Sequence, residues 1–366
     1  MKRRESFGSI LRRSSSRTSA VILLYLLLLL PGLTAFAESE PASHSGLGGP
    51  GDAVQTLLAS PDLWADLKDK TQPLDKVLDR VHVRSYRVPY APGRKLFVTE
   101  YFTLRSVLRR PARAAIFLTG PEFRGSFWGI PVTGYNGPEM AAQRGFFAFT
   151  FDYEGVGESH HPPDGSQINH LTEVAPVRRL IDLVRVFRRV QQVDLIGEGY
   201  GAEIASQLAD EPERVRSVVM SVVVYKNFHP ESPPLFTPGF EALLRNSPGG
   251  YWQPFFYDLT LAFSPNQELR DYVMATQPGD YPTGPWLHYL DFDLPFIDAE
   301  NAAVPGLVIA GQFDPFPAPG DMEELAADWG GGGSLVVIPG SVHVPRIEAE
   351  PIAAQYFGAL FDFIDD

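Results

Sequence analysis

Short apolar runs alternate with polar or amphipathic segments from about residue 81 onward. Residues 81–88 alternate hydrophobic and polar positions with period two, and residues 95–104 do so more loosely, which predicts an antiparallel pair of strands. Continuous apolar runs at 114–119 and 146–151 are typical of strands that are buried on both faces, as in parallel sheets. Further runs of this kind lie at 193–196, 217–224, 306–310 and 335–338.

A helical pattern stands between two of these runs. Residues 175–191 place apolar side chains at spacings of three and four, with five arginines between them. This periodicity predicts an amphipathic helix whose arginines face water. Strands that alternate with helices predict an α/β fold with a mostly parallel central sheet, helices on both faces and right-handed crossovers.

Residues 226–300 break this rhythm. Fifteen of these 75 residues are aromatic, prolines are frequent and no clean strand is visible. We interpret the segment as a cap inserted into a core of residues 81–225 and 301–366. The cap would cover the carboxyl ends of the strands, where open α/β sheets bind ligands. Its aromatic side chains form a small core of their own or line an apolar cleft, and the sequence leaves both uses open.

The amino-terminal segment predicts export. Residues 1–37 combine a basic, Ser-rich start, an apolar run at 20–30 and an Ala-Phe-Ala sequence that ends at Ala37. This order is typical of a secretory signal peptide, here cleaved after Ala37, and predicts a secreted or periplasmic protein that meets the membrane only transiently. An uncleaved anchor is the alternative, although Pro31 interrupts a short apolar stretch. Residues 38–80 are interpreted as a linker and an amino-terminal helical extension.

Charge and composition exclude several classes of protein. The chain has 31 Lys and Arg against 44 Asp and Glu, a net charge of −13. Residues 1–37 hold six of the basic residues and one acidic residue, which leaves −18 on the remaining chain. Such an acidic body repels nucleic acids. The absence of Cys excludes disulfides, thiolate catalysis and Cys-based metal sites. We therefore expect a small-molecule ligand or substrate and no cofactor.

A bound metal is not predicted either. His160 and His161 are adjacent, which directs their side chains apart, and the following Pro-Pro pair stiffens the loop away from a third ligand.

One strand ends in a motif that carries chemistry. The run at 193–196 is followed at once by Gly197-Glu-Gly199-Tyr-Gly201 and then by a helical stretch. A strand, a turn flanked by small residues and a helix form the nucleophile elbow of α/β-hydrolases. The flanking glycines are needed because the turn is sharp and its central residue has a strained backbone.

Other segments extend this pattern. Residues 152–159 (DYEGVGES) follow an apolar strand, and residues 211–215 (EPERV) precede the next one. Together the motifs resemble the α/β-hydrolase superfamily, particularly its prolyl- and tripeptidyl-aminopeptidase-like branch, whose members show D-x-R-G-x-G-x-S, G-x-S-Y-G-G and P-E-x-V. The resemblance covers residues 114–224 and 304–346 and implies an α/β-hydrolase fold with an inserted cap.

The resemblance also implies roles for particular residues. Asp314 follows the strand at 306–310 and matches the acid of the catalytic triad, and His343 follows the strand at 335–338 and matches the general base. Backbone N–H groups of Tyr200 and Glu122 would form the oxyanion hole, since Pro121 has no N–H. Three aromatic residues in the same loop would wall an apolar pocket or pack against the cap. They are Phe123, Phe127 and Trp128.

The departure from the family lies at the centre of the elbow. Gly199 stands where the family has Ser, and it has no side chain with which to attack. Glu198 occupies a variable position of the motif and would need a different turn. Ser206 lies two helical turns farther on, and nothing in the sequence places Ser341 on a strained turn, although it precedes His343 by two residues.

Three hypotheses follow. The protein is a non-hydrolytic member of the superfamily that binds a small, largely apolar ligand, and proteins related to N-myc downstream-regulated genes also have Gly at this position. Alternatively, His343 and Asp314 activate a water molecule for ester or peptide hydrolysis. In the third hypothesis, Gly199 replaces the nucleophile of an ordinary serine hydrolase.

Overall fold

The structure is a computed structural model that describes residues 78–230, 237–255, 257–262, 264–291 and 294–366. The predicted signal peptide and almost all of the predicted linker and helical extension lie outside the described residues. In the described part of the chain, no helix is long and apolar enough to cross a membrane.

Eight strands form one twisted central sheet in the order β1-β2-β4-β3-β5-β6-β9-β10, and β7 and β8 form a separate antiparallel pair. β1 pairs with β2 and β2 with β4 in the antiparallel sense, whereas the other neighbours are parallel. The predicted α/β fold with its antiparallel opening pair is therefore confirmed. The strands are β1 (His82–Ala91), β2 (Arg94–Phe102), β3 (Arg113–Leu118), β4 (Phe146–Asp152), β5 (Val193–Glu198), β6 (Val215–Ser221), β7 (Tyr251–Trp252), β8 (Tyr281–Pro282), β9 (Gly306–Gly311) and β10 (Gly333–Ile338).

Helices cover both faces of this sheet. Alternate residues of the central strands, such as Phe117 and Ile309, pack with helices α2 and α10 in one buried cluster. The helices are α1 (Leu104–Leu108), α2 (Gly137–Gln143), α3 (His170–Arg188), α4 (Tyr200–Ser206), α5 (Pro238–Arg245), α6 (Tyr257–Thr260), α7 (Gln267–Thr276), α8 (Gly284–Asp291), α9 (Asp321–Asp328) and α10 (Glu350–Asp365).

Helix α3 begins five residues before the start predicted from its apolar periodicity. The Asn169 side chain accepts hydrogen bonds from the N–H groups of Leu171 and Thr172, and the Thr172 hydroxyl oxygen accepts one from the Asn169 N–H, which forms a capping box. The expectation that all its arginines face water is wrong for Arg188. That side chain is buried and donates to both carboxylate oxygens of Glu100, at 2.5 and 2.6 Å.

Parallel strands bring their carboxyl ends to one edge of the sheet. The loops that follow β3, β5, β6, β9 and β10 therefore converge there. Helices α5 to α8 and the β7–β8 pair lie in the sequence between β6 and β9. Several of their aromatic rings contact one another edge-on, for example Trp252 with Trp286 and Phe240 with Trp286.

Candidate functional site

The turn between β5 and α4 has a strained backbone. Gly199 lies at φ +51° and ψ −118°, a conformation that side-chain-bearing residues rarely adopt. A Cβ atom on Gly197 would stand 2.5 Å from the Ala202 nitrogen, and one on Gly201 would stand 2.5 Å from the Leu118 oxygen. Both flanking glycines are therefore required by close packing of the backbone. The space beside Gly199 itself is open.

Asp314 and His343 are joined across neighbouring loops. His343 Nδ1 lies 3.0 Å from Oδ1 and 2.9 Å from Oδ2 of Asp314. The carboxylate is almost fully buried, and it also accepts the Phe316 N–H at 3.1 Å. A carboxylate in this position holds the proton on Nδ1 and stabilises an imidazolium. This leaves Nε2 as the nitrogen that can exchange a proton with a molecule in the pocket that His343 lines.

One cavity of about 150 Å³ joins these residues. Gly199, Tyr200, Glu122 and His343 all line it. Most of the remaining lining is apolar and comes from the loops after β3, β6, β9 and β10 and from the segment between β6 and β9. These residues include Phe123, Phe127, Val222, Val223, Phe228, Trp286, Leu294, Phe316 and Val344.

Trp128 does not line this cavity, which corrects the expectation that it walls the pocket. Its ring is fully buried in the core cluster, and its indole N–H donates to the Leu118 oxygen at 3.1 Å. The Trp128 face is covered by the guanidinium of Arg346, 4.2 Å from the ring centroid. The sequence of this loop did not show that Trp128 packs in the core, whereas Phe123 and Phe127 line the cavity.

Arg346 also forms a buried ion pair with Glu198, the residue before Gly199. Its Nε and Nη2 atoms donate to the two carboxylate oxygens of Glu198 at 2.6 and 2.8 Å, and both side chains are buried. Such a bidentate pair uses both oxygens of the carboxylate. Both oxygens of Glu198 are therefore engaged by Arg346, which opposes their use as a substitute nucleophile. Arg346 was not predicted from the sequence, in which it is only a lone Arg among the apolar residues after His343.

The two N–H groups expected to form the oxyanion hole differ in whether they are free to bind a ligand. Tyr200 is the first residue of α4, so its N–H has no acceptor within the helix. The N–H of Glu122 lies close enough to the residue's own carboxyl group to lower the pKa of that carboxyl. A ligand oxygen at this second N–H would therefore compete with the Glu122 carboxyl group.

Two carboxyl groups stand out in the apolar lining. Burial raises the pKa of Glu122 to about 7, although its own N–H and the nearby His343 lower it. Burial raises the pKa of Glu203 on α4 to about 8, although the Tyr289 hydroxyl donates to Oε1. Within the described residues, Oε2 of each group has no hydrogen-bond partner. Glu203 was not predicted as a site residue, although its position four residues after Gly199 places it one helical turn beyond the elbow.

The two serines considered as alternative nucleophiles are engaged elsewhere. Ser206 Oγ donates to the Glu203 carbonyl at 2.7 Å and accepts the Asp298 N–H at 3.0 Å. Ser341 Oγ donates to Glu348 Oε1 at 2.8 Å. Neither lines the cavity, and no serine is found among its described lining residues. In the described ranges no three His, Asp or Glu side chains are grouped so that they could hold a metal ion.

No protein-family model and no curated protein matches the chain in sequence. Its structure is nevertheless similar to many solved hydrolases. A monoacylglycerol lipase from Paleococcus ferrophilus has a TM-score of 0.56 at 16% identity, covering 73% of this chain and 97% of that one. An esterase from Thermogutta terrifontis has a TM-score of 0.54 at 17% identity, covering 77% and 99%.

A bacterial membrane phospholipase A has a TM-score of 0.55 at 16% identity, and the match covers 96% of this chain and 100% of that one. Likeness at such low identity shows the fold. The chain therefore has the α/β-hydrolase fold expected from its motifs.

Proposed function

We propose that this protein is a member of the α/β-hydrolase superfamily that binds a ligand without forming a covalent bond to it. Its pocket would bind a small, largely apolar molecule. One observation carries the proposal. Gly199 occupies the centre of the strained turn, where the resemblance puts a nucleophile, and it brings no side chain into the cavity. Formation of an acyl-enzyme needs an activated side chain at that point.

The surrounding side chains support this proposal. Glu198 is bound to Arg346, and Ser206 and Ser341 donate their hydroxyl protons to other groups. The cavity itself is lined mainly by apolar and aromatic groups, which favours a ligand of the same character. The assignment to an aminopeptidase-like branch rests on the motifs alone and belongs to the same proposal.

A covalent probe tests the proposal. The protein is incubated with a fluorophosphonate, and p-nitrophenyl ester hydrolysis is followed from the first seconds. We expect no labelling and no burst, because no acyl-enzyme can accumulate. Rapid labelling of the unmodified protein, mapped to Ser206 or Ser341, would contradict the proposal.

The bond between His343 and Asp314 favours a second candidate function, which is hydrolysis by an activated water. His343 Nε2 would take a proton from a water molecule beside Gly199, the hydroxide would attack the substrate carbonyl, and the Tyr200 N–H would stabilise the oxyanion. As the oxyanion collapses, the bond to the alcohol or amine would break and His343 would return its proton to that leaving group. This candidate predicts slow ester turnover without a burst. His343→Ala should abolish that turnover, whereas a binding protein would show the same background rate in both forms.

We also propose that the chain is exported and that the mature protein starts at Glu38. The support is the basic, apolar and Ala-x-Ala order of residues 1–37. Amino-terminal sequencing of protein from the cell envelope tests this. A start at Met1 in a membrane fraction would favour the uncleaved anchor instead.

A further inference from the structure

We propose that Phe316 is a positioning residue for His343, which it holds in the orientation that bonds Nδ1 to Asp314 and leaves Nε2 available to the cavity. The inference rests on the proposed function in one respect, namely that His343 exchanges a proton with a molecule in the cavity. It adds the residue that keeps the imidazole ready to do so.

The sequence around Phe316 forms a stiff segment. Residues 314–319 read Asp-Pro-Phe-Pro-Ala-Pro, so every second residue is proline. Proline fixes its own φ and restricts the residue before it to extended backbone. Pro315 and Pro317 also lack an N–H, which leaves Phe316 with the only backbone N–H between Asp314 and Ala318. A segment of this kind can hold one side chain in place without belonging to a helix or a strand.

The N–H of Phe316 orients the acid. It donates to Asp314 Oδ1 at 3.1 Å, which closes a local turn between the Asp side chain and the N–H two residues farther on. His343 Nδ1 lies 3.0 Å from the same oxygen and 2.9 Å from Oδ2. Rotation of the carboxylate away from His343 would therefore also break its bond with Phe316.

The ring of Phe316 restrains the base. Its centroid lies 4.3 Å from that of the His343 ring, with the two planes inclined at 61° in an edge arrangement. Both side chains line the same cavity. The phenyl ring occupies the space on one side of the imidazole, so a turn of His343 toward that side is opposed by direct contact. One residue thus restrains both partners of the bond between His343 and Asp314.

The backbone of Phe316 is itself anchored to the loop that follows β6. Its carbonyl accepts the His229 N–H at 2.7 Å, and the Ala318 N–H donates to the Asn227 carbonyl at 2.9 Å. The buried carboxylate of Asp321 in turn accepts the Asn227 N–H at 3.0 Å. These bonds fix the segment from the protein side, so the position of the ring does not depend on a bound ligand.

Proton NMR of the mature protein at pH 7 tests the inference without a ligand or a covalent probe. An imidazole Nδ1–H that is held against a carboxylate and shielded from water gives a separate downfield signal, which His343→Ala assigns by removing it. We expect this signal in the unmodified protein. We also expect a nuclear Overhauser contact between the rings of His343 and Phe316.

Variants assign the effect to the ring. Phe316→Ala keeps the N–H and removes the ring, so the Nδ1–H should exchange with water about tenfold faster, measured by saturation transfer. Phe316→Leu restores an apolar side chain of similar size and should keep the slow exchange. Phe313→Ala is the matched control, because Phe313 belongs to the same loop, is 62% exposed and does not line the cavity. Thermal denaturation shows whether each variant is folded.

The outcomes are decisive in both directions. Unchanged exchange in folded Phe316→Ala overturns the inference, and so does equally fast exchange in Phe313→Ala, which would indicate a general loosening of the loop. Absence of the Nδ1–H signal or of the contact between the rings in the unmodified protein overturns it even when no variant folds. Each of these results leaves the proposed function standing, because that proposal fails only when the fluorophosphonate labels the unmodified protein.

Discussion

The carbonyl oxygen of Val222 lies 3.4 Å from the point where a Cβ atom on Gly199 would stand, and no other atom outside its chain neighbours is within 4 Å. A side chain at Gly199 is therefore opposed by backbone strain and not by lack of space. Val222 itself has a φ of +60°, which is rare for a β-branched residue. The cavity thus has strained backbone on two neighbouring strand ends.

This geometry predicts that Gly199→Ser folds and gains reactivity. The strain should lower the free energy of unfolding by about 1–3 kcal/mol. The new hydroxyl should stand in the cavity that His343 lines, so a fluorophosphonate should label position 199. Mass spectrometry of the labelled peptide and a thermal melt check both expectations.

Two control variants separate the effect of backbone strain from the reactivity of the new hydroxyl. Gly199→Ala carries the same backbone strain without a hydroxyl, so its melting temperature should match that of Gly199→Ser while it stays unlabelled. Adding His343→Ala to Gly199→Ser should remove the labelling. A folded Gly199→Ser protein that resists the probe would show that the pair of His343 and Asp314 does not reach position 199.

The flanking glycine gives a second prediction. Gly201→Ala would place a Cβ atom 2.5 Å from the Leu118 oxygen, which is backbone and cannot move without shifting β3. We expect a loss of about 2–4 kcal/mol of stability, measured by denaturant unfolding. Gly358→Ala in α10 is the control, because a Cβ atom there meets nothing within 4 Å, and it should be neutral or slightly stabilising. Equal stability of the two variants would contradict the argument.

The strands were predictable because a strand buried on both faces shows itself locally as a continuous apolar run, and β4 (FFAFTFD) is buried throughout. Helix ends were less predictable. The start of α3 depends on the side chain of Asn169, which breaks no apolar pattern. The burial of Arg188 depends on Glu100, which is 88 residues away in the chain.

In the site, sequence order indicated Gly199, Asp314 and His343 because each follows an apolar run that ends at the same sheet edge. Arg346 and Glu203 were missed because their significance comes from tertiary contacts. Glu198, the partner of Arg346, is 148 residues away, and the Tyr289 that contacts Glu203 is 86 residues away. No local spacing reveals such a pair.

The buried pair of Glu198 and Arg346 gives a third prediction. Arg346→Met would leave the Glu198 carboxylate buried without its counter-ion, and we expect a loss of about 3–5 kcal/mol in denaturant unfolding. Replacing both residues, as Glu198→Met with Arg346→Met, should recover much of this loss because the unpaired charge is removed as well. A double variant no more stable than Arg346→Met would contradict this account.

Comparison of Arg346→Met with Arg188→Met tests whether loss of the Glu198–Arg346 ion pair also changes ligand binding in the cavity. Arg188→Met breaks another buried pair, with Glu100, and Arg188 does not line the cavity. Arg188→Met should destabilise the fold similarly and leave ligand binding unchanged at temperatures where it is folded. Arg346→Met should also weaken binding, because Arg346 fixes Phe127 and Glu198, which do line the cavity.

The final prediction concerns the pH dependence of stability. Burial raises the pKa of Glu203 from 4.5 to about 8, so the folded protein keeps a proton that the unfolded chain has released between these pH values. The unfolded state then binds fewer protons, and the contribution of Glu203 to the free energy of unfolding falls as pH rises from 4.5 to 8. Glu203→Gln removes this contribution while Tyr289 keeps an acceptor.

The titratable neighbours of Glu203 determine the pH range in which its contribution to stability can be measured. Tyr289 and Tyr200 have raised pKa values and stay neutral in this range. The pKa of His170 is lowered to about 4, so its contribution to stability has the opposite sign and rises between pH 4 and 6.5. The clean window therefore lies between pH 6.5 and 8.5.

Thermal melts at pH 4.5, 6.5 and 8.5 check the sign. Relative to the unmodified protein, Glu203→Gln should gain about 2 kcal/mol of stability on going from pH 6.5 to 8.5. The exposed Glu268→Gln is the control and should run parallel to the unmodified protein at all three values. A Glu203→Gln curve parallel to the unmodified protein would mean that Glu203 is already ionised in the folded state at neutral pH, since an ionised carboxylate loses no proton as the pH rises.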